Sequence, residues 1–465
     1  MEKRLEKRKV FEEKQFERLS KEQKKGQPGY YFLITLFIII LVDLLDNFTT
    51  SSTENITSAI INDFFVNKGL FGRTYTYEEG LAIHNSLSIL GRLLGVFSPF
   101  FKSLGDKYGR KPLLAISTCG MALGMLLVYL SRSYIVYLLG TVIMTFFFGA
   151  DVQIIYVLEE APAKNRALIY SVLKSLGALG VVFIPLLRSL VMKNDPDLWR
   201  EIFKYPGLVG VGIAVLVLLF VKETRVFVTD KVKYLSLPFE ERLALEEEQK
   251  AAKKATSRKS GIFNALRYIA QHKDIRTLIL TKTVFDVCLV AMTYYESIMY
   301  KAGMSTAAIT TAEYFYPFIY AASLPISGLI ADRLGRKRTI QLFGVLCLVC
   351  YVSFMFSTNH LLSPALVGVF YGLYLGSYWI GRDYMQIMMT EMVPTDIRVS
   401  VLAGSAIYML GGILLGYAYM AIFGLILPLP TACILLSVPL ISASLYLLTF
   451  KVRETKGTEY ETIEG

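Results

Sequence analysis

Ionisable side chains recur inside long apolar stretches of this 465-residue chain, and that placement restricts what they can be for. Putting charge at mid-bilayer costs about 2.5–3.5 kcal/mol on insertion scales, so such groups face a cavity or a partner. Asp43 and Asp46 sit in IIILVDLLDNFTT, and the i, i+3 spacing puts both carboxylates on one helix face. Two carboxylates together in a low-dielectric cleft cannot both ionise cheaply, which is what a proton-coupling site requires. The alternative is a fixed pair with Arg92, in LSILGRLLGVF. Lys282 and Asp286, at i, i+4, are expected to pair, and Asp286 is a further proton-coupling candidate. Arg382, directly before Asp383, either binds substrate or pairs with that aspartate. Arg92, Lys174 and Arg382, with the two aspartates, would line a cleft suited to a small organic anion with an apolar or aromatic body. Tyrosines 294, 295, 314, 316, 374 and 378 are candidates for its aromatic lining.

The elements that position these groups are transmembrane helices. Hydrophobic residues make up 54% of the chain and charged residues 19%, against about 25% charged in a soluble protein. Apolar runs long enough to cross a bilayer fall near 30–53, 81–103, 112–131, 133–157, 166–190, 204–221, 276–298, 306–330, 339–357, 361–389, 398–424 and 429–450, and are numbered spans 1 to 12. Transmembrane barrel strands are shorter and alternate polar with apolar, so a barrel is excluded. Five cysteines and three dispersed histidines leave no disulfide scaffold and no metal site. Cys347-x-x-Cys350 lies within span 9 and is expected to be helix packing, and Gly207-x-x-Gly210-x-Gly212 in span 6 helix contact. Lysine and arginine gather in the first 28 residues, in 102–111, in 222–276 and after span 12, while alternate loops hold few. Both termini and the central loop are therefore expected in the cytoplasm. The net charge of +11 reflects this topology and attraction to anionic lipid, not a nucleic-acid surface. No cleavable signal peptide precedes span 1.

The chain repeats itself. GDKYGRK (Gly105 to Lys111) recurs as ADRLGRK (Ala331 to Lys337), and EEAPAKNR (Glu159 to Arg166) as EMVPTDIR (Glu391 to Arg398). Two motifs in the same order at nearly the same spacing mark a duplicated six-helix unit. The expected organisation is a basic tail (1–28), a six-helix bundle (29–222), a central loop with a short helix (223–275), a second bundle (276–450) and a closing tail (451–465).

The D-[RK]-x-G-R-K loop after spans 2 and 8 resembles the signature of the major facilitator superfamily. The E-x-x-P-x-x-x-R after spans 4 and 10, with Glu454-Thr455-Lys456-Gly457 after span 12, resembles its branch of sugar porters, organic-ion transporters and aromatic-acid/proton symporters. The Asp43-x-x-Asp46 pair looks like the D-G-x-D of aromatic-acid/proton symporters, with Leu44 in place of the glycine. Lys174 stands where sugar porters carry a sugar-binding glutamine. Tyr294-Tyr295 resembles their paired tyrosines, but the usual amide positions hold Val284, Phe285 and Val290, which disfavours a polyhydroxyl substrate. The resemblance also implies a gate at the termini end: Asp106, Gly109, Arg110, Glu159 and Arg166 in the first copy, Asp332, Gly335, Arg336, Glu391 and Arg398 in the second. There Gly109 and Gly335 are turn residues, and the charged groups form ion pairs that separate as the bundles rock. The alternative is that these charges only enforce topology and meet lipid phosphates.

These observations define an expectation: an all-α membrane protein of twelve transmembrane helices in two pseudo-symmetric six-helix bundles. Its expected role is plasma-membrane transport of a small organic anion with protons, by a monomer without cofactor or enzymatic constellation. No Walker A sequence supplies nucleotide-driven energy. A sugar or polyol porter, an efflux carrier and a non-transporting sensor with a transporter fold are the alternatives.

Overall fold

A computed structural model describes residues 2–25, 30–70, 72–95, 101, 104–105, 108–148, 152–161, 166–193, 195–245, 247–248, 262–393 and 398–454. Helices account for each of the twelve expected spans. Spans 1 to 3 are Tyr31–Ser52, Tyr77–Gly95 and Arg110–Leu130. Span 4 runs through Tyr134–Phe148 and Val152–Glu160, and span 6 is Glu201–Phe220. Span 5 is broken, Arg166–Ala178 and Phe183–Leu190 flanking a 3-10 turn at Leu179–Val182. Span 7 is broken twice, into Lys273–Asp286, Cys288–Met292 and Tyr295–Lys301. Spans 8 to 12 are Thr306–Leu334, Arg336–Asn359, Pro364–Glu391, Arg398–Ile426 and Leu429–Lys451. Among the described residues nine helices are long and apolar enough to cross a membrane. Spans 2, 7 and 10 are not among them; span 7 is broken into helices of 14, 5 and 7 residues.

Close packing rests on glycine at particular crossings. A Cβ on Gly180 of span 5 would lie 2.1 Å from the Leu44 carbonyl oxygen of span 1, and one on Gly177 would lie 1.7 Å from Asp43 Oδ2. In the second bundle Gly368 and Gly372 of span 10 meet the Ala312 and Tyr316 carbonyls of span 8. Gly207 and Gly210 of span 6 meet Leu126 and Ala122 of span 3, as expected. A Cβ on Gly212 would meet nothing within 4 Å, so packing does not require glycine there. Cys347 and Cys350 are buried free thiols in helix packing.

At the termini end, the helix Glu2–Lys25 packs Leu19 against Phe227 and Val228 of the loop helix Arg225–Leu235. Residues 239–245 form the short helix expected in the central loop. At the opposite end the two bundles are bonded to each other. Lys301 of span 7 pairs with Glu78 of span 2, and Asn62 donates to the Tyr300 hydroxyl at 3.0 Å.

Candidate functional site

Three groups of residues stand where the sequence placed chemistry. The first is the repeated loop at the termini end. Gly109 and Gly335 have φ of +112° and +89°, conformations that L side chains rarely adopt, so each is a true turn glycine. Arg110 pairs with Glu159 at 2.9 Å, and Arg336 with Glu391 at 3.4 Å. Each pair lies within one bundle, and both are made while the opposite ends are joined. Asp106 lies outside the described residues, as do the side chains of Asp332, Arg166 and Arg398. A partner not anticipated from the sequence completes the loop. Glu223 accepts from the backbone N–H of Arg110 at 2.6 Å and of Lys111 at 3.2 Å. Glu454 does the same for Arg336 at 3.1 Å and Lys337 at 3.0 Å. A carboxylate thus caps the N-terminus of span 3 and of span 9, where backbone N–H groups lack helical partners. The signal was present: Glu223-Thr224 after span 6 is the first-copy counterpart of Glu454-Thr455. Burial raises the Glu223 carboxyl above its ordinary range, against the pull of the N–H groups of Arg110, Lys111 and Thr224.

The second group is the charge inside the bundles. Gln153 Nε2 of span 4 lies 3.1 Å from Asp43 Oδ1 and 3.4 Å from Asp46 Oδ2, so the two carboxylates do share a face. Lys174 Nζ approaches Asp43 Oδ1 at 3.4 Å, with 29% of its side chain exposed. The side chain of Arg92 lies outside the described residues. In the second bundle Lys282 Nζ donates to Asp286 Oδ2 at 2.5 Å, so that i, i+4 pair forms. Arg382 Nε donates to Asp286 Oδ1 at 3.1 Å and its guanidinium lies 4.7 Å from the Trp379 ring centroid. Arg382 is thus hydrogen-bonded to Asp286, a partner the sequence did not single out, with Asp383 also within its electrostatic reach. Asp383 is within electrostatic reach of Lys174, which brings the two charge clusters together across the bundle junction.

The third group lines a cavity of about 400 Å³ between the bundles, within the range of small-molecule sites. Its first-bundle wall is mostly amide and hydroxyl, with Asn47, Thr50, Ser51, Asn85, Ser88 and Thr145; Tyr137, Leu138 and Val181 are its apolar members. Its second-bundle wall is aromatic and aliphatic, with Leu289, Met292, Tyr320, Tyr371, Leu375 and Trp379, and Thr293 as the polar member. Of the expected substrate residues, Tyr295 reaches this cavity and Tyr294, Lys174 and Arg382 do not. Tyr316 lines it, whereas Tyr374 and Tyr378 are buried in helix packing and Tyr314 bonds Ser189. Among the described residues the wall carries Glu54 and His84 but no lysine or arginine. Of the cations expected in that wall, Lys174 and Arg382 turn to carboxylates, and the side chain of Arg92 lies outside the described residues.

Broken helices, pseudo-repeated loops and a junction cavity in a helical bundle are the marks of a multi-pass carrier fold. The sequence matches the Major Facilitator Superfamily over residues 30–416, and the chain belongs to that superfamily. Among curated relatives, the class H tetracycline resistance protein of Pasteurella multocida is 28% identical over 195 residues, 41% of this chain and 45% of that protein. The uncharacterized MFS-type transporter YfiU of Bacillus subtilis is 29% identical over 130 residues, 27% of this chain and 24% of that protein. The chain thus spans less than half the length of these two relatives. Similar solved structures include a D-xylose-proton symporter, with TM-score 0.65, 14% identity and coverage of 92% of this chain and 99% of that one. The xylose transporter XylE from E. coli in an inward-open conformation gives TM-score 0.63 at 16% identity, covering 93% and 98%. At these identities the likeness shows the shared fold.

Proposed function

We propose that this protein is a proton-coupled secondary transporter of a small organic solute, working by alternating access in the cell membrane. The observation that carries the solute class is the two-walled cavity. One wall offers hydrogen bonds and the other flat apolar faces, which fits a solute with an aromatic or apolar body and a polar edge. Asp43 and Asp46, bridged by Gln153, are the proton-carrying pair of this reading. Trp379 is the aromatic wall's largest ring and Tyr295 its link to the opposite bundle. Both termini and the central loop are assigned to the cytoplasm from the lysine and arginine distribution, and the working unit is the monomer.

The organic-anion reading keeps one specific support. Lys174, partly exposed beside Asp43, is a cation that a carboxylate could meet at the termini side of the cavity. A polyol substrate is disfavoured by the second wall, where Leu289, Met292 and Leu375 offer hydroxyls nothing. The chain has two tryptophans, and Trp379 lines the cavity while Trp199 is buried elsewhere. Solute binding is therefore expected to change the emission of Trp379, and Trp379→Phe to abolish that change. Neutral aromatic solutes should raise the melting temperature more than aliphatic polyols of similar size. Stabilisation by polyols alone, without a Trp379 response, would refute the solute class. Stabilisation by aromatic carboxylates alone, lost in Lys174→Gln, would move the assignment to organic anions.

A further inference from the structure

The end of the bundles opposite the termini holds a charge cluster that neither the cavity wall nor the Asp43 pair uses. Arg188, at the end of span 5, has 2% of its side chain exposed, and Glu313 of span 8 has none. Arg188 Nη1 donates to both Glu313 oxygens, at 2.9 and 3.0 Å, and to the Asn55 carbonyl. Glu296 of span 7 is fully buried. Its Oε2 accepts from the Ser58 backbone N–H at 2.8 Å, and its Oε1 meets the Ser58 hydroxyl. The phenols of Tyr295 and Tyr316 donate to Asn55 Oδ1. Apart from the Arg188–Asn55 bond, which lies within the first bundle, these bonds tie the first bundle to the second.

Among the described residues the charges in this cluster do not balance. Glu296 lies within electrostatic reach of both Arg188 and Glu313, so two buried carboxylates share one guanidinium. The other ionisable groups facing the cluster do not correct this. Glu54 adds negative charge near Tyr316 and Tyr371, and Tyr77 near Glu296 is a neutral phenol at ordinary pH. Lys301 is taken by Glu78 at the rim. A second carboxylate buried beside an already paired one is costly to ionise, and a proton removes that cost.

We propose that Glu296 holds a proton whenever this end is closed, making Glu296, Glu313 and Arg188 a proton-binding latch between the bundles. As a neutral acid, Glu296 donates from Oε1 to Ser58 Oγ while Oε2 still accepts the Ser58 N–H. A hydroxyl hydrogen is free to take either direction, so the same heavy-atom geometry serves. Glu313 stays ionised and balances Arg188. When the ends part, both glutamates leave with the second bundle, while Arg188, Ser58 and Asn55 stay with the first. Water then reaches Glu296, its O–H bond breaks, and the proton passes to water. Closing reverses this, so acid favours the closed end by linkage. The inference deepens the proton-coupled reading by adding a proton site distinct from Asp43 and Asp46.

The test measures the gap between the bundles directly. Spin labels are placed on the full chain in lipid nanodiscs at Thr74 and Ala307, exposed positions on opposite bundles at this end. Cys119 is replaced by serine, the other cysteines being buried. The ratio of long to short distances is expected to rise with pH, by up to about tenfold per unit where one proton titrates. Glu296→Gln, an isostere of the neutral acid, should hold the short distance across about pH 5 to 8. A distance distribution indifferent to pH in the wild type would overturn the proposal, as would Glu296→Gln titrating like the wild type. The wild-type titration decides alone if the variant does not fold. No solute is present, so failure here leaves the transport reading standing, and a working latch without pH-driven flux would sink that reading instead.

Discussion

A carboxylate's neighbours decide its role in this chain, and Asp63 shows how far two cations can fix one. It lies between spans 1 and 2, outside the membrane-spanning segments. Lys68 pairs with its Oδ1 at 2.9 Å and Arg200 with its Oδ2 at 2.5 Å. Burial alone would raise its carboxyl, but Lys68 and Arg200 outweigh that and hold it below the usual range. A folded-state value below the unfolded one, ordinarily about 3.9, contributes stability above that pH and loses it as pH falls through the folded value. Asp63→Asn should therefore lower thermal stability at neutral pH, by about 2 kcal/mol for the charged hydrogen bonds removed. The difference from wild type should shrink below about pH 3.9; an equal difference at all pH values would contradict the assignment. Within the bundles, Asp286 is likewise fixed between Lys282 and Arg382. The Lys282 contact was legible because i, i+4 neighbours meet on any helix. The Arg382 contact was not, since it joins span 7 to span 10 across a tertiary interface. Gln153 was missed for the same reason: nothing local in span 4 marks it as the bridge between Asp43 and Asp46.

Among the elements, span 5 positions the first bundle's site. Its 3-10 turn at Leu179–Val182 contains Gly180, which together with Gly177 lies against span 1. Gly180→Ala would drive a Cβ to 2.1 Å from the Leu44 carbonyl, which must shift backbone and not a flexible side-chain tip. Its expected effect is a loss of folded yield or a destabilisation of about 1–3 kcal/mol from overpacking, read by thermal unfolding. Wild-type stability in Gly180→Ala would show that spans 1 and 5 are not held this close. The spans themselves were legible from hydropathy, because the bilayer demands long apolar helices. The repeated loops with their turn glycines were legible because the sequence prints them twice. The breaks in span 7 were not read, since they sit among Val287, Thr293 and Tyr294 without a proline. That Lys174 and Arg382 turn to carboxylates was not legible for a related reason. A sequence shows that charge lies within a span, but not whether it faces a solute or a carboxylate on another helix.

For the molecule as a whole, the two bundles differ in chemistry although their loops repeat. The first supplies hydroxyls and amides to the cavity and the second supplies rings and aliphatic chains. Duplication preserved Arg110–Glu159 and Arg336–Glu391 with their carboxylate caps, because each holds two helices of one bundle together. It did not preserve the cavity lining, where the two walls differ in chemistry. In the proposed cycle the bonds between the bundles at the end opposite the termini break, and exposed pairs such as Lys301–Glu78, worth about 0–1 kcal/mol each, suit a contact that opens. Solute flux into proteoliposomes under an imposed pH gradient tests the central claim most directly. Accumulation of an aromatic solute above its equilibrium level is predicted, with Asp43→Asn retaining solute exchange but losing that accumulation. Equilibration without accumulation in the wild type, or undiminished pH-driven accumulation in Asp43→Asn, would contradict it.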